Sequence, residues 1–209
     1  MDLLSFVATV ILITASGALA PGPMFFATIS QGAKTGAKTG IIFSIAHTLV
    51  EFSLIMLLTL GLLTIANKPI VKITIGLTGG LALIIFGFIQ IYKSYVNRSI
   101  SNRETFPSHR YLFFLGIIFT GLNPYFVIWW LTAGARLIIL ALEFAALAGV
   151  IFMFICHVWM DYVWLIGISH FSKKGINLLG SKWYRYLMVI FGGILIYFGI
   201  NFLIDALRP

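Results

Sequence analysis

The chain has 209 residues, 60% of them hydrophobic and only 10% charged, with a mean hydropathy of +1.04. A soluble domain carries about 25% charged residues, so a water-soluble fold is excluded and an all-α integral membrane protein is expected. The net charge of +8 sits between or at the edges of apolar runs, without a basic patch interleaved with aromatics, so no nucleic-acid partner is expected.

Six apolar segments follow one another, at roughly 3–29, 41–66, 73–92, 111–135, 144–170 and 184–204. Each is near the ~20 residues that cross a bilayer core. A chain in lipid must satisfy its own backbone hydrogen bonds, which predicts helices, and the alternating pattern of a membrane barrel is absent. The connections are too short for a second domain, so residues 1–209 read as a single transmembrane domain.

The first segment begins MDLLSFVATVILIT. Its Asp2 stands where a signal peptide carries basic residues, which predicts a retained helix. No charge occurs between Asp2 and Lys34, and Pro21-Gly22-Pro23 interrupts the run. The second segment carries His47 and Glu51, and the third a Gly79 to Gly87 run. In the fourth, Asn123-Pro124 makes a second break ahead of Trp129 and Trp130. The fifth carries His157 and Asp161 beside Cys156, the single cysteine, which excludes an internal disulfide and a C-x-x-C pair. The sixth opens on Gly192-Gly193. His109 and His170 read as interfacial, Trp159 and Trp164 as packing residues, and Trp183 as an interface anchor.

Basic residues set the orientation. Lys34, Lys38, Lys93, Arg98, Arg103, Arg110, Lys173, Lys174, Lys182 and Arg185 fall on one side; Lys68, Lys72, Arg136 and Arg208 fall on the other. Ten against four puts loops 1–2, 3–4 and 5–6 in the cytoplasm and both termini outside.

The halves echo each other. Pro23 answers to Pro124, His47-x-x-x-Glu51 to His157-x-x-x-Asp161, and the glycine run of segment 3 to that of segment 6. Three segments per half is odd, so the second half (about 108–209) enters the membrane inverted relative to the first (about 1–98). Inverted repeats with matching breaks mark secondary transporters. Each proline starts a half-helix, whose N-terminal N–H groups and positive dipole end suit an anion.

Glu51 and Asp161 are the acids deep inside segments, about 15 and 14 Å from the same side at 1.5 Å per residue. Each has a histidine four residues earlier on the same helical face. Several readings fit: structural His–acid hydrogen bonds, proton coupling through Glu51, Asp161, His47 and His157, recognition of a substrate ammonium, or a metal site of His47, Glu51, His157 and Asp161 suited to Zn²⁺ or Mn²⁺. The last makes a divalent metal-cation exporter the alternative function. An intramembrane enzyme would set Ser16 or Ser44 against His47, but no nucleophile motif supports it, and no cofactor is expected. Small residues at Gly76, Gly79 and Gly87 permit helix contacts within one chain or in a homo-oligomer.

Pro21-Gly22-Pro23, Gly79 to Gln90, Asn123-Pro124, Asp161 and Gly192-Gly193 together resemble the lysine exporter (LysE/RhtB) family over nearly the whole chain. The resemblance implies six spans in an inverted repeat, a place in the cell membrane, and export of amino acids or related small solutes by antiport. Substrate contacts are then expected at Pro21, Gly22, Pro23, Asn123, Pro124, Glu51 and Asp161. Met24 and Tyr125 stand where many members carry Asn and Lys.

Overall fold

A computed structural model describes residues 1–19, 22–62, 69–96 and 107–207. Seven helices account for nearly all of them: α1 (Leu3–Ala18), α2 (Pro23–Thr35), α3 (Ala37–Leu57), α4 (Pro69–Val96), α5 (His109–Gly121), α6 (Pro124–Trp129) and α7 (Ala135–Leu207). Wider π-helical turns follow α3 at Leu58–Leu62 and α6 at Trp130–Gly134. No strand occurs among the described residues. Pro21, Lys68, Arg98, Arg103 and Arg208 lie outside them, as do the side chains of Lys72, Gln90, Lys93, Lys182 and Trp183.

The first expected segment is two helices, bent by 71°. Asp2 caps α1, its carboxylate accepting from the Ser5 N–H and hydroxyl, both at 2.9 Å. The Ser5 backbone bond first, and the hydroxyl next, hold the Asp2 carboxyl below its usual range. Pro23 is the first residue of α2, where a missing N–H costs no hydrogen bond. α2 then runs to Thr35, and Gly36 alone joins it to α3 at φ 68°, a conformation that side chains with a Cβ avoid. The connection expected between residues 29 and 41 is therefore mostly helix. Only the Gly36 turn interrupts it.

α7 is a run of helical residues that folds back, not a rod. Ala146 has φ 49°, and a Cβ on Gly149 would collide with the Ala141 carbonyl. Eight residues apart in a straight helix would be about 12 Å, so the chain reverses at Ala146. Residues 136–143, expected as a connection, are helix instead. A second reversal lies between Trp164 and Phe198. Their rings are linked through Phe25 and Phe26 in three steps of 5.1–6.2 Å, whereas a straight helix would separate them by about 50 Å.

Packing fixes the register. α3 runs antiparallel to the middle of α7, with Gly40 against Leu165 and Ile166 and Glu51 against His157. The end of α7 runs antiparallel to α4 along glycines: Gly76 meets Ala206, Gly80 meets Gly199 and Gly87 meets Gly192. Gly79 abuts the Leu122 carbonyl. These small residues are used within the chain.

Two apolar clusters form the core. One gathers Phe6, Val10, Ile55, Leu58, Trp130 and Met153; the other gathers Phe43, Phe86, Leu112, Phe119, Leu165 and Phe202. On α3, Phe43 belongs to one and Ile55 to the other, and His47 and Glu51 fall between. Among the described residues two stretches, Ala37–Gly61 and Pro124–Gly175, are long and apolar enough to cross a membrane, and α1 with α2 makes a third if counted as one bent span.

Candidate functional site

Spacing of four puts His47 over Glu51 on α3 and His157 over Asp161 on α7, and the antiparallel register brings the two pairs face to face. His157 Nε2 lies 2.9 Å from Glu51 Oε1 and 3.4 Å from Asp161 Oδ2. His47 Nε2 lies 3.4 Å from Glu51 Oε1 and 3.9 Å from Asp161 Oδ1. Glu51, His157 and Asp161 are only 2–5% exposed. Groups this buried normally find hydrogen-bond partners. Glu51 Oε2, Asp161 Oδ2 and His157 Nε2 have none, and the 2.9 Å approach of His157 to Glu51 is not an aligned N–H···O bond.

The outer face of each imidazole is held by a threonine. Thr120 donates its hydroxyl to the Gly116 carbonyl at 2.8 Å, so toward His47 Nδ1, at 3.0 Å, it can only accept. That pairing suits the tautomer of His47 with its hydrogen on Nδ1. Thr14 Oγ1, itself fully buried, meets His157 Nδ1 at 2.9 Å. Trp130 donates its indole N–H to Glu51 Oε1 at 3.2 Å. The turn Trp130–Gly134 positions that ring against Gly134, where a Cβ would strike it.

His47, Glu51, His157 and Asp161 all line a cavity of about 420 Å³. Its walls are Met24, Phe25, Phe126, Trp129, Trp164 and Leu165, with Ser16, Gly17, Gly22, Asn123 and Tyr125 among the remaining lining residues. Pro23 and Pro124 are not among the lining residues. Met24 and Tyr125 are part of it. Trp164, expected as packing, faces the cavity and stacks on Phe25 at 6.1 Å.

The two proline breaks are not alike. At α6 the Asn123 side chain accepts from the Tyr125 N–H at 3.1 Å, so the helix caps itself. At α2 no side chain caps the N-terminus, and Gly22 opens on the cavity. The two half-helices expected to meet an anion therefore differ in their first turn: α2 has no side-chain cap, whereas α6 has one.

Thr14 and Thr120 were not singled out in the sequence. Hydroxyls within apolar spans are common, and usually bond to the carbonyl four residues back. A signal would have been their place in the broken segments. Ser16 donates to the Ile13 carbonyl and accepts from Trp129, and Ser44 Oγ is buried without a partner; neither is bonded to His47. His109 and His170 are exposed.

A family model of the LysE type translocator matches residues 15–206. The chain belongs to this family. Neither a curated protein nor a solved structure matches it. As a LysE-type translocator it is a multi-pass membrane transporter of small solutes, not an enzyme. The Pro23 and Pro124 breaks, the His–acid pairs and the cavity all fall within the matched residues.

Proposed function

We propose that this translocator exports amino acids from the cell by proton antiport, with six spans in an inverted 3+3 arrangement and both termini outside. The observation that carries the reading is a cavity of solute size whose lining includes two buried carboxylates, each with an oxygen lacking a hydrogen-bond partner. A buried acid in a membrane costs roughly 2.5–3.5 kcal/mol on insertion scales and is kept for function. In this reading the cargo ammonium meets Glu51 and Asp161. Its carboxylate meets the uncapped N–H groups of α2 beyond Gly22, where the helix dipole favours negative charge. Protons entering from outside compete for the same carboxylates and release the cargo. Rocking of one repeat against the other then moves the site between faces.

Glu51→Gln and Asp161→Asn keep shape but cannot cycle a charge. In inverted vesicles offered single radiolabelled amino acids, each variant is expected to exchange its cargo across the membrane. Uphill accumulation driven by a proton gradient should fall at least tenfold. Full proton-driven accumulation in the double variant would overturn the reading.

A further inference from the structure

We propose that His47, Glu51, His157 and Asp161 form a four-ligand site for a divalent first-row transition-metal ion, with Zn²⁺ the best fit. The inference goes beyond amino-acid export and uses the carboxylates assigned there to the cargo ammonium, so ion and cargo compete for one site.

Geometry carries it. A tetrahedral zinc ion bound at about 2.0–2.2 Å by nitrogen and oxygen sets its ligand atoms about 3.4 Å from each other. The histidine–carboxylate separations are 2.9, 3.4, 3.4 and 3.9 Å, the two histidines approaching different oxygens of Asp161; one atom each from His47, Glu51 and Asp161 fits within 4.8 Å, and His157, 2.9 Å from Glu51, stands beside that set as the fourth ligand. Ion pairs held by N–H···O bonds would align donor with acceptor. Here His157 Nε2 and Asp161 Oδ2 sit 3.4 Å apart with neither hydrogen-bonded, the pattern of lone pairs converging on a shared point.

The surroundings agree. Metal-bound histidines nearly always present their other ring nitrogen to a hydrogen-bond partner that fixes the tautomer. Thr120, its own hydrogen given to Gly116, suits Nδ1–H on His47 and leaves Nε2 for the centre. Thr14 Oγ1 meets the outer ring nitrogen of His157 at 2.9 Å, and Trp130 N–H bonds the Glu51 carboxylate. Charge agrees as well. Two carboxylates and two neutral imidazoles sum to −2, which a divalent ion cancels, so the filled site carries no net charge in the bilayer. Calcium and magnesium prefer six or more oxygen ligands, whereas two imidazoles favour the later transition metals.

Co²⁺ is the direct probe, because four-coordinate Co²⁺ gives intense visible absorption bands that six-coordinate Co²⁺ lacks. The purified full chain in lipid nanodiscs should bind one Co²⁺ with tetrahedral bands that Zn²⁺ abolishes. Asp161→Asn and His157→Ala should weaken binding at least 100-fold. Thr120→Val, close in shape and outside the ligand set, should weaken it roughly 10- to 100-fold and guards against a folding artefact. His170→Ala should leave it unchanged. Zn²⁺ uptake into inverted vesicles, or its retention by the purified chain, then separates cargo from a fixed ion, and either supports the site. Absence of tetrahedral bands, or bands that persist in both ligand variants, would overturn it. That failure with amino-acid export intact leaves the functional reading standing; a site that binds Co²⁺ in a chain that moves no amino acid does the reverse.

Discussion

The two proline breaks start from the same device and end in different places. At Pro23 the chain emerges from an extended Gly22 (φ −100°, ψ −172°) into a helix of 13 residues, six of them buried, whose first N–H groups have no side-chain cap. At Pro124 it emerges from Asn123, which caps the helix itself, and α6 lasts only six residues, none buried, before widening into the turn that brings in Trp130. Proline fixes where each helix begins. The residue before it decides what the beginning is for. The uncapped α2 end leaves its first donors without a side-chain acceptor, whereas the α6 end has given the Tyr125 N–H to Asn123.

That contrast can be broken at its support. The Leu122 carbonyl, at the α6 break, packs against Gly79 so closely that a Cβ there would collide with it. Overpacking against backbone costs about 1–3 kcal/mol or more. Gly79→Ala should therefore lower the thermal unfolding temperature in detergent substantially, the largest effect expected here. Stability equal to wild type would mean that the break is not held by α4.

A gentler change erases the difference from the other side. A Cβ at Gly22 meets nothing within 4 Å, and its extended backbone accepts any residue. Gly22→Asn should cap α2 as Asn123 caps α6, changing stability by only a few tenths of a kcal/mol. Export should nevertheless fall about tenfold, equivalent to about 1.4 kcal/mol, because the cap occupies the donors assigned to the cargo carboxylate. Unchanged transport in a correctly folded variant would remove α2 from the binding site. Smallest is Asn123→Ala, which should cost about 1 kcal/mol of stability while cargo affinity, read from half-saturation of uptake, stays near wild type. A large loss of affinity would return the anion role to α6.

Much of the site was legible because its parts obey helix spacing. His47–Glu51 and His157–Asp161 are each one turn apart, and deep acids are too costly in lipid to be incidental. Proline likewise announced both breaks. What could not be read were contacts between distant segments. The self-cap at Asn123 depends on a side-chain rotamer, and the same Asn-Pro pair could have left the N–H free. In the sequence segment 4 ends near residue 135, ahead of Arg136, which counts among the basic residues of the next connection. The helix instead continues to a reversal at Ala146, since a left-handed alanine has no sequence signature as a glycine does. Trp164 gave no sign of facing the cavity, because apolar packing and cavity lining use the same residue type. Thr14 and Thr120 were invisible for a similar reason: a threonine's role depends on whether its hydroxyl turns to its own backbone or to a neighbour.

Those threonines tie the molecule together crosswise. Thr14 belongs to the stretch before residues 97–106 and grips His157 after it; Thr120 belongs to the later stretch and grips His47 in the earlier one. Each stretch therefore holds the histidine of the other, like two people each carrying the other's key. If the chain were expressed as two separate pieces, neither piece would contain a histidine with its own support, and the site would exist only in the reunited pair. Any movement that slides the stretches apart releases both imidazoles in one event, so that they let go together rather than by halves.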